Sequence, residues 1–163
     1  MNATLQSARQ RIYLALTSPL LSYSINGASP VNLPAANVVP KAVWEIGQTP
    51  PMPLVAYNVS TKTDAGITLG RNLGVRRLQL KLWVVSGASM DEATSIYEAI
   101  RTLLNYADQD ATNGAVDLSR PGSSGAALAL AVQLCREVDV LPPAYEEVTK
   151  RWYLSAEYEL SAI

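Results

Sequence analysis

Three carboxylate pairs, one cysteine and a complete lack of histidine define what this sequence offers to chemistry. The pairs are Asp91/Glu92, Glu146/Glu147 and Glu157/Glu159. Acid–base catalysis by two carboxylates needs unlike environments around one cleft, so that one stays protonated while the other is ionised. The spacing argues for other roles. Asp91 and Glu92 follow Ser89 at the start of a helical pattern, where negative side chains suit the positive end of the helix. Glu146 and Glu147 fall in a segment after Pro142-Pro143, expected to be a loop. Glu157 and Glu159 alternate on one side of a strand pattern, where pairing across to Arg77 and Lys81 is the simpler role. Cys135 has no histidine to take its proton, so a buried structural thiol is expected. Serine nucleophiles lack a histidine base too, and neither a Gly-x-Ser-x-Gly elbow nor a Ser-x-x-Lys motif occurs.

Metal and phosphate sites are equally weak. The stretch from Asp108 begins like a calcium loop, but Asn113 stands where the turn glycine belongs and Ser119 where the closing glutamate belongs. Gly66 to Gly70 lacks the lysine of a phosphate loop. No metal, cofactor or catalytic residue is expected, and the chain reads as a non-enzyme.

The elements that must position these residues are clearer. Residues 75–85 alternate as a two-faced strand, with Leu78, Leu80, Leu82 and Val84 on one side and Arg77, Gln79 and Lys81 on the other. Met90 to Ala107 repeats Ala93, Ile96/Tyr97, Ile100, Leu103/Leu104 and Ala107 at the spacing of one buried helical stripe. Ser89 and Glu92 form a capping-box pattern at its start. An earlier helix is expected over Ala3–Thr17, with Leu5, Ala8, Ile12, Ala15 and Leu16 inward and Arg9 and Arg11 turned away; Ser18-Pro19 stops it. Further strands are expected at 20–25, 42–46, 54–60, 115–118, 128–140 and 149–160. In the last, Trp152, Leu154, Ala156, Tyr158 and Leu160 share one face. Leu141-Pro142-Pro143 is expected to end the strand before it. Asn26-Gly27 is a turn signal. Long connections are expected at 26–42, 61–74 and 108–125. Few helices among antiparallel strands predict an α+β fold: a mostly antiparallel sheet with a central helix on one face and a short N-terminal helix.

The chain has 163 residues and a net charge of −1, so one domain over 1–163 is expected, with no general attraction to nucleic acid or an anionic membrane. No apolar run approaches a membrane span, and the N-terminus lacks the pattern of a signal peptide. A lone cysteine excludes an intrachain disulfide and suits a reducing compartment.

The layout resembles the tail terminator (tail-completion) proteins of long-tailed bacteriophages. The likeness rests on the N-terminal helix Thr4 to Leu16 and the proline-rich passage Gln48-Thr49-Pro50-Pro51-Met52-Pro53-Leu54-Val55-Ala56-Tyr57. It continues in the strand ending Leu80-Lys81-Leu82-Trp83-Val84-Val85, the helix Ala93 to Leu104 and the closing strand Tyr153-Leu154-Ser155-Ala156-Glu157-Tyr158-Glu159-Leu160. The resemblance implies a virion structural protein assembled in the host cytoplasm and placed at the head-proximal end of the tail. It implies a homo-oligomer, a hexameric ring, that caps the tail tube, stops its polymerisation and meets the head. Its partners are then the tail tube protein and a head–tail connector or stopper protein, with no sequence-specific nucleic acid and no membrane. On this reading the arm at 61–74, with Lys62, Asp64, Ile67, Leu69 and Arg71, contacts a neighbouring subunit or the tube. The polar sheet face, with Arg77, Gln79, Lys81, Glu157 and Glu159, lines a lumen. Two alternatives stand beside it: another neck component, such as a connector or stopper, or a small-ligand-binding or enzymatic α+β domain using carboxylates.

Overall fold

A computed structural model of the chain describes residues 3–17, 20–42, 51–61, 76–104 and 132–162. In chain order the elements are α1 (Ala3–Thr17), β1 (Ser22–Tyr23), β2 (Val31–Asn32), a 3-10 turn (Ala35–Asn37), β3 (Val38–Pro40), β4 (Leu54–Thr61), β5 (Arg76–Ser86), α2 (Met90–Leu104), β6 (Val132–Glu146) and β7 (Arg151–Ala162). The fold is α+β. A five-stranded sheet runs β3-β4-β5-β7-β6, antiparallel throughout except for the parallel β3–β4 pair, and β1-β2 forms a small second sheet. The strand expected at 115–118, the arm at 62–74 and the remainder of the 108–125 connection lie outside the described residues, as do 105–107 at the end of the expected helix.

Alternation fixes which face of the sheet is covered. Leu78, Leu80, Leu82 and Val84 on β5 are fully buried, as are Tyr158 and Leu160 on β7, and Leu154 and Ala156 nearly so. The stripe Ala93, Ile96, Tyr97, Ile100, Leu103 and Leu104 of α2 is buried in the same core. α1 adds Ala8, Ile12, Ala15 and Leu16, which meet Val55, Tyr57 and Val59 of β4. Both helices therefore lie on one side of the sheet.

Several sequence expectations are corrected. Arg11 is not turned away from the core; it is fully buried. Position 11 lies three residues after Ala8 and four before Ala15, within a stripe about 100° wide. Arg9 is half-buried, and its Nε and Nη2 donate to the Val59 carbonyl oxygen at 3.3 and 3.2 Å. The 26–42 connection carries β2, the 3-10 turn and β3 rather than running as one loop. Asn26 and Gly27 do turn the chain, both with positive φ (50° and 75°), and the Ala28 amide closes the turn on the Ile25 carbonyl at 2.9 Å. Ala42 is helical rather than the start of a strand, and 43–46 lies outside the described residues.

Pro142-Pro143 does not end its strand. β6 continues to Glu146, with register shifts between Val132/Leu134, Glu137/Asp139 and Leu141/Ala144. The pairing explains the tolerance: both prolines fall in the register shift between Leu141 and Ala144, and among the described residues β6 is the edge strand, where proline need not supply a ladder donor on the outer side. The capping box is also remade. Ser89 Oγ accepts from the Glu92 amide at 3.1 Å as expected, but Glu92 does not reach back to the Ser89 amide. Its Oε1 accepts instead from Ser86 Oγ at 2.6 Å, and that oxygen accepts from the Ala88 and Ser89 amides at 3.0 and 3.1 Å. Ser86 thus ties the end of β5 to the start of α2, and it is fully buried.

Candidate interaction surface

The uncovered face of the sheet is built by the residues that alternate with the core positions. On β5 these are Arg77, Gln79, Lys81, Trp83 and Val85, the last fully buried; on β7 they are Tyr153, Ser155, Glu157 and Glu159. Register places Gln79 opposite Glu159, Lys81 opposite Glu157 and Trp83 opposite Ser155. β6 extends the face with Arg136 opposite Glu159 and Asp139 opposite Glu157. Four of the five expected face residues, Gln79, Lys81, Glu157 and Glu159, therefore sit together. Arg77 is exposed nearer the end of the ladder, opposite Ser161.

The pairings differ in detail from the sequence expectation. Glu157 stands directly across from Lys81, yet its Oε1 accepts a hydrogen bond from Gln79 Nε2. Glu159 pairs with Arg136 on β6, Nη2 to Oε2 at 3.2 Å, rather than with a β5 cation alone. A shallow depression of about 190 Å³ opens here, walled by Lys81, Trp83, Asp139, Leu141, Ser155 and Glu157. It holds both charge signs, so it sets no strong field for a cation or an anion. The expected arm contacts Lys62, Asp64, Ile67, Leu69 and Arg71 lie outside the described residues.

Sequence reasoning missed a buried polar cluster. Tyr97 of α2 and Tyr158 of β7 touch hydroxyl to hydroxyl at 3.1 Å. Both donate to Glu137 Oε2 on β6, Tyr158 at 3.5 Å, and Arg101 Nε reaches the same oxygen at 3.3 Å. Burial and the hydrogen bond to Glu137 push the Tyr97 pKa far above the usual tyrosine range. A phenol held neutral in this way is no base at ordinary pH. The cluster fastens α2 to the two outer strands. Its signal in the sequence was two tyrosines on otherwise apolar faces, each needing a partner for its hydroxyl.

The edges of the sheet are the other notable surface. Val138, Leu141, Tyr145 and Val148 are exposed large apolar residues, all on β6 or the turn after it. At the far edge, α1 and β3–β4 enclose a cleft of about 310 Å³ containing Tyr13 and Tyr57, whose rings are 6.4 Å apart. Among the described residues no cluster of acidic or cysteine side chains is arranged to hold a metal ion, and no helix is long and apolar enough to cross a membrane. No protein-family model matches the chain, and comparison with curated proteins gives no match either.

Proposed function

We propose that this chain is a structural assembly subunit of the tail terminator type: copies close into a ring, a hexamer, that caps a phage tail tube and forms its junction with the head. One observation carries the reading. Among the described residues neither helix lies on the sheet face of Lys81, Glu157, Glu159 and Arg136, although Leu54, Ala56 and Val85 at the β4 side of that face are fully buried, and the described sheet ends in a 15-residue strand bearing exposed apolar side chains. Such a face suits contact with other protein surfaces and the lining of a channel better than enclosure of a small molecule, which favours a concave and mostly apolar pocket. The sequence likeness in the helix, proline-rich passage and closing strand supports the same class.

A ring of identical subunits needs two different side surfaces that meet head to tail. The test is the mass of the purified protein in solution, alone and with tail tube protein, together with negative-stain images. A closed ring with a central channel, and tubes that stop growing once it is added, is the expected outcome. A strictly monomeric mass at tens of micromolar, unchanged by tube protein, would sink the proposal. A stopper or connector remains the second neck role; it would bind the head-side partner without halting tube growth.

A further inference from the structure

The strand β6 carries a symmetry of its own. Its pairing with β7 slips between Val132 and Leu134, between Glu137 and Asp139, and between Leu141 and Ala144. The outer two slips bound the stretch 134–141, and the middle one lies at its centre. In a regular strand, residues three apart point to opposite faces. Here Arg136 stands opposite Glu159 and Asp139 opposite Glu157, so both belong to the face away from the helices. The extra residue of a bulge at Val138 is what allows this.

The charges along this stretch are unbalanced within one chain. Arg136 meets Glu159 at 3.2 Å, and its side chain is still half exposed. Asp139 is exposed, stands opposite the like charge of Glu157, and makes no ion pair or side-chain hydrogen bond among the described residues. Like charges directly across a ladder are unfavourable, so a cation on the outer side of Asp139 would relieve it. Val138 and Leu141, on either side of it, are 51% and 57% exposed. Among the described residues β6 pairs on one side only, with β7. An added strand takes up the backbone groups of such an edge.

A second copy of the chain supplies that cation in one register. A two-fold axis through the bulge lays β6 antiparallel to itself. Position 134 then falls opposite 141 of the other copy, 135 opposite 140, 136 opposite 139 and 137 opposite 138. The faces agree: positions paired with Ser161, Glu159, Glu157 and Ser155 of β7 meet one another, as do those paired with Leu160 and Ala156. Each Arg136 is flanked by its own Glu159 and by Asp139 of the other copy, and the two Val138 side chains lie beside the axis. Pairing stops at Leu141 because Pro142 has no amide to give.

We propose that two copies pair antiparallel along residues 134–141 of β6, about a two-fold axis at Val138, so that Arg136 of each copy meets Asp139 of the other. The contact joins like surfaces, closes with two copies and does not propagate, so it is distinct from a head-to-tail ring contact and stands whether or not the ring reading does. Exposed ion pairs add little strength, so the two Arg136–Asp139 pairs set the register while the backbone ladder and Val138 supply cohesion.

Sedimentation velocity at tens to hundreds of micromolar tests the pair, with circular dichroism to check folding. Wild type is expected to show reversible doubling of mass, of a single subunit or of a ring. Arg136→Asp and Asp139→Arg each set like charges together twice and are expected to weaken doubling at least about 10-fold. An equal mixture of the two variants is expected to recover it, because both contacts then join opposite charges. A wild type that never doubles, doubling unchanged by either substitution, or a mixture no better than its components overturns the pair. If Arg136→Asp does not fold, Val138→Cys in a chain with Cys135→Ser decides, under oxidised glutathione. An interchain disulfide that forms faster there than for Val148→Cys in the same background supports the pair; one that forms no faster overturns it. A ring that forms without doubling removes the pair and leaves the terminator reading intact. A confirmed pair in a protein that fails to cap tubes removes that reading and leaves the pair.

Discussion

The two faces of the sheet are made by the same strands under opposite rules. On the covered face, Leu80, Leu82, Leu154 and Ala156 meet the stripe of α2, and nearly every side chain is out of water. On the opposite face, the residues that alternate with them in the same strands include Gln79, Lys81, Glu157 and Glu159, bound by exchangeable polar contacts. The first face supplies cohesion and has little freedom to change. On the second face the part formed by β7 and β6 contributes little to stability, in contrast to Leu54, Ala56 and Val85 at its β4 side, which are fully buried.

That contrast is most directly broken at Ile100, which is fully buried in the α2 stripe. Ile100→Ala should cost about 2–5 kcal/mol, the range for deleting buried aliphatic groups. A chemical-denaturation midpoint shifted by less than about 0.5 kcal/mol, the usual surface range, would mean that this face is not the core. Next comes Glu137, where the covered side tolerates polarity only because it is satisfied. Glu137→Ala removes the carboxylate that the Tyr97 and Tyr158 hydroxyls share, leaving their 3.1 Å contact with each other, and should cost about 1–3 kcal/mol. A double-mutant cycle with Tyr158→Phe should show strong non-additivity; additive losses would mean the groups do not act together.

The same cluster makes an alkaline prediction. Tyr97 is held protonated in the fold, so its pKa there lies above the ordinary value of 10.0. Its stabilising contribution is complete below that value and is lost as pH rises past it, because only the unfolded chain then sheds the proton. Tyr97→Phe should flatten the decline in stability above about pH 10, with the share from Tyr23 and Tyr57, whose pKa values are also raised by burial, left in place. An unchanged alkaline slope would count against the buried phenol.

Ser86→Ala removes the relay between the end of β5 and the cap of α2 and should cost about 0.5–2 kcal/mol by thermal melting, the range for a lost helix cap. The smallest effect is expected on the uncovered face. Glu159→Gln loosens the 3.2 Å pair with Arg136, whose side chain is half in water, and should change stability by less than about 1 kcal/mol. A loss comparable to that of Ile100→Ala would erase the distinction between the faces.

Regular periodicity made much of this architecture legible. The α2 stripe and the alternation of β5 and β7 can be read from residue spacing alone, because each element is long and interrupted by nothing. Irregularity hid the rest. Arg11 is a charged residue at a core position, and hydropathy overrode helical geometry in reading it. The three register shifts in β6 change which face each residue takes, so Arg136 stands beside Glu159 and Glu137 enters the tyrosine cluster. Pro142-Pro143 reads as a stop only if both sides of the strand need donors, and strand order is not written in local sequence. The Ser86 relay was hidden because it competes with a familiar cap using the same glutamate.

Those two prolines carry a further consequence. A long, open strand with apolar side chains is a template on which other chains add without limit. Pro142 and Pro143 carry no amide donor and fall inside the register shift between Leu141 and Ala144, so the strand has a gap in its donors there and is bent. The rim is thereby a poor seed for fibril growth, even when many copies are made at once. Replacing the pair with valines would restore the donors, and the cost would appear as aggregation of newly made chains rather than as a weaker fold.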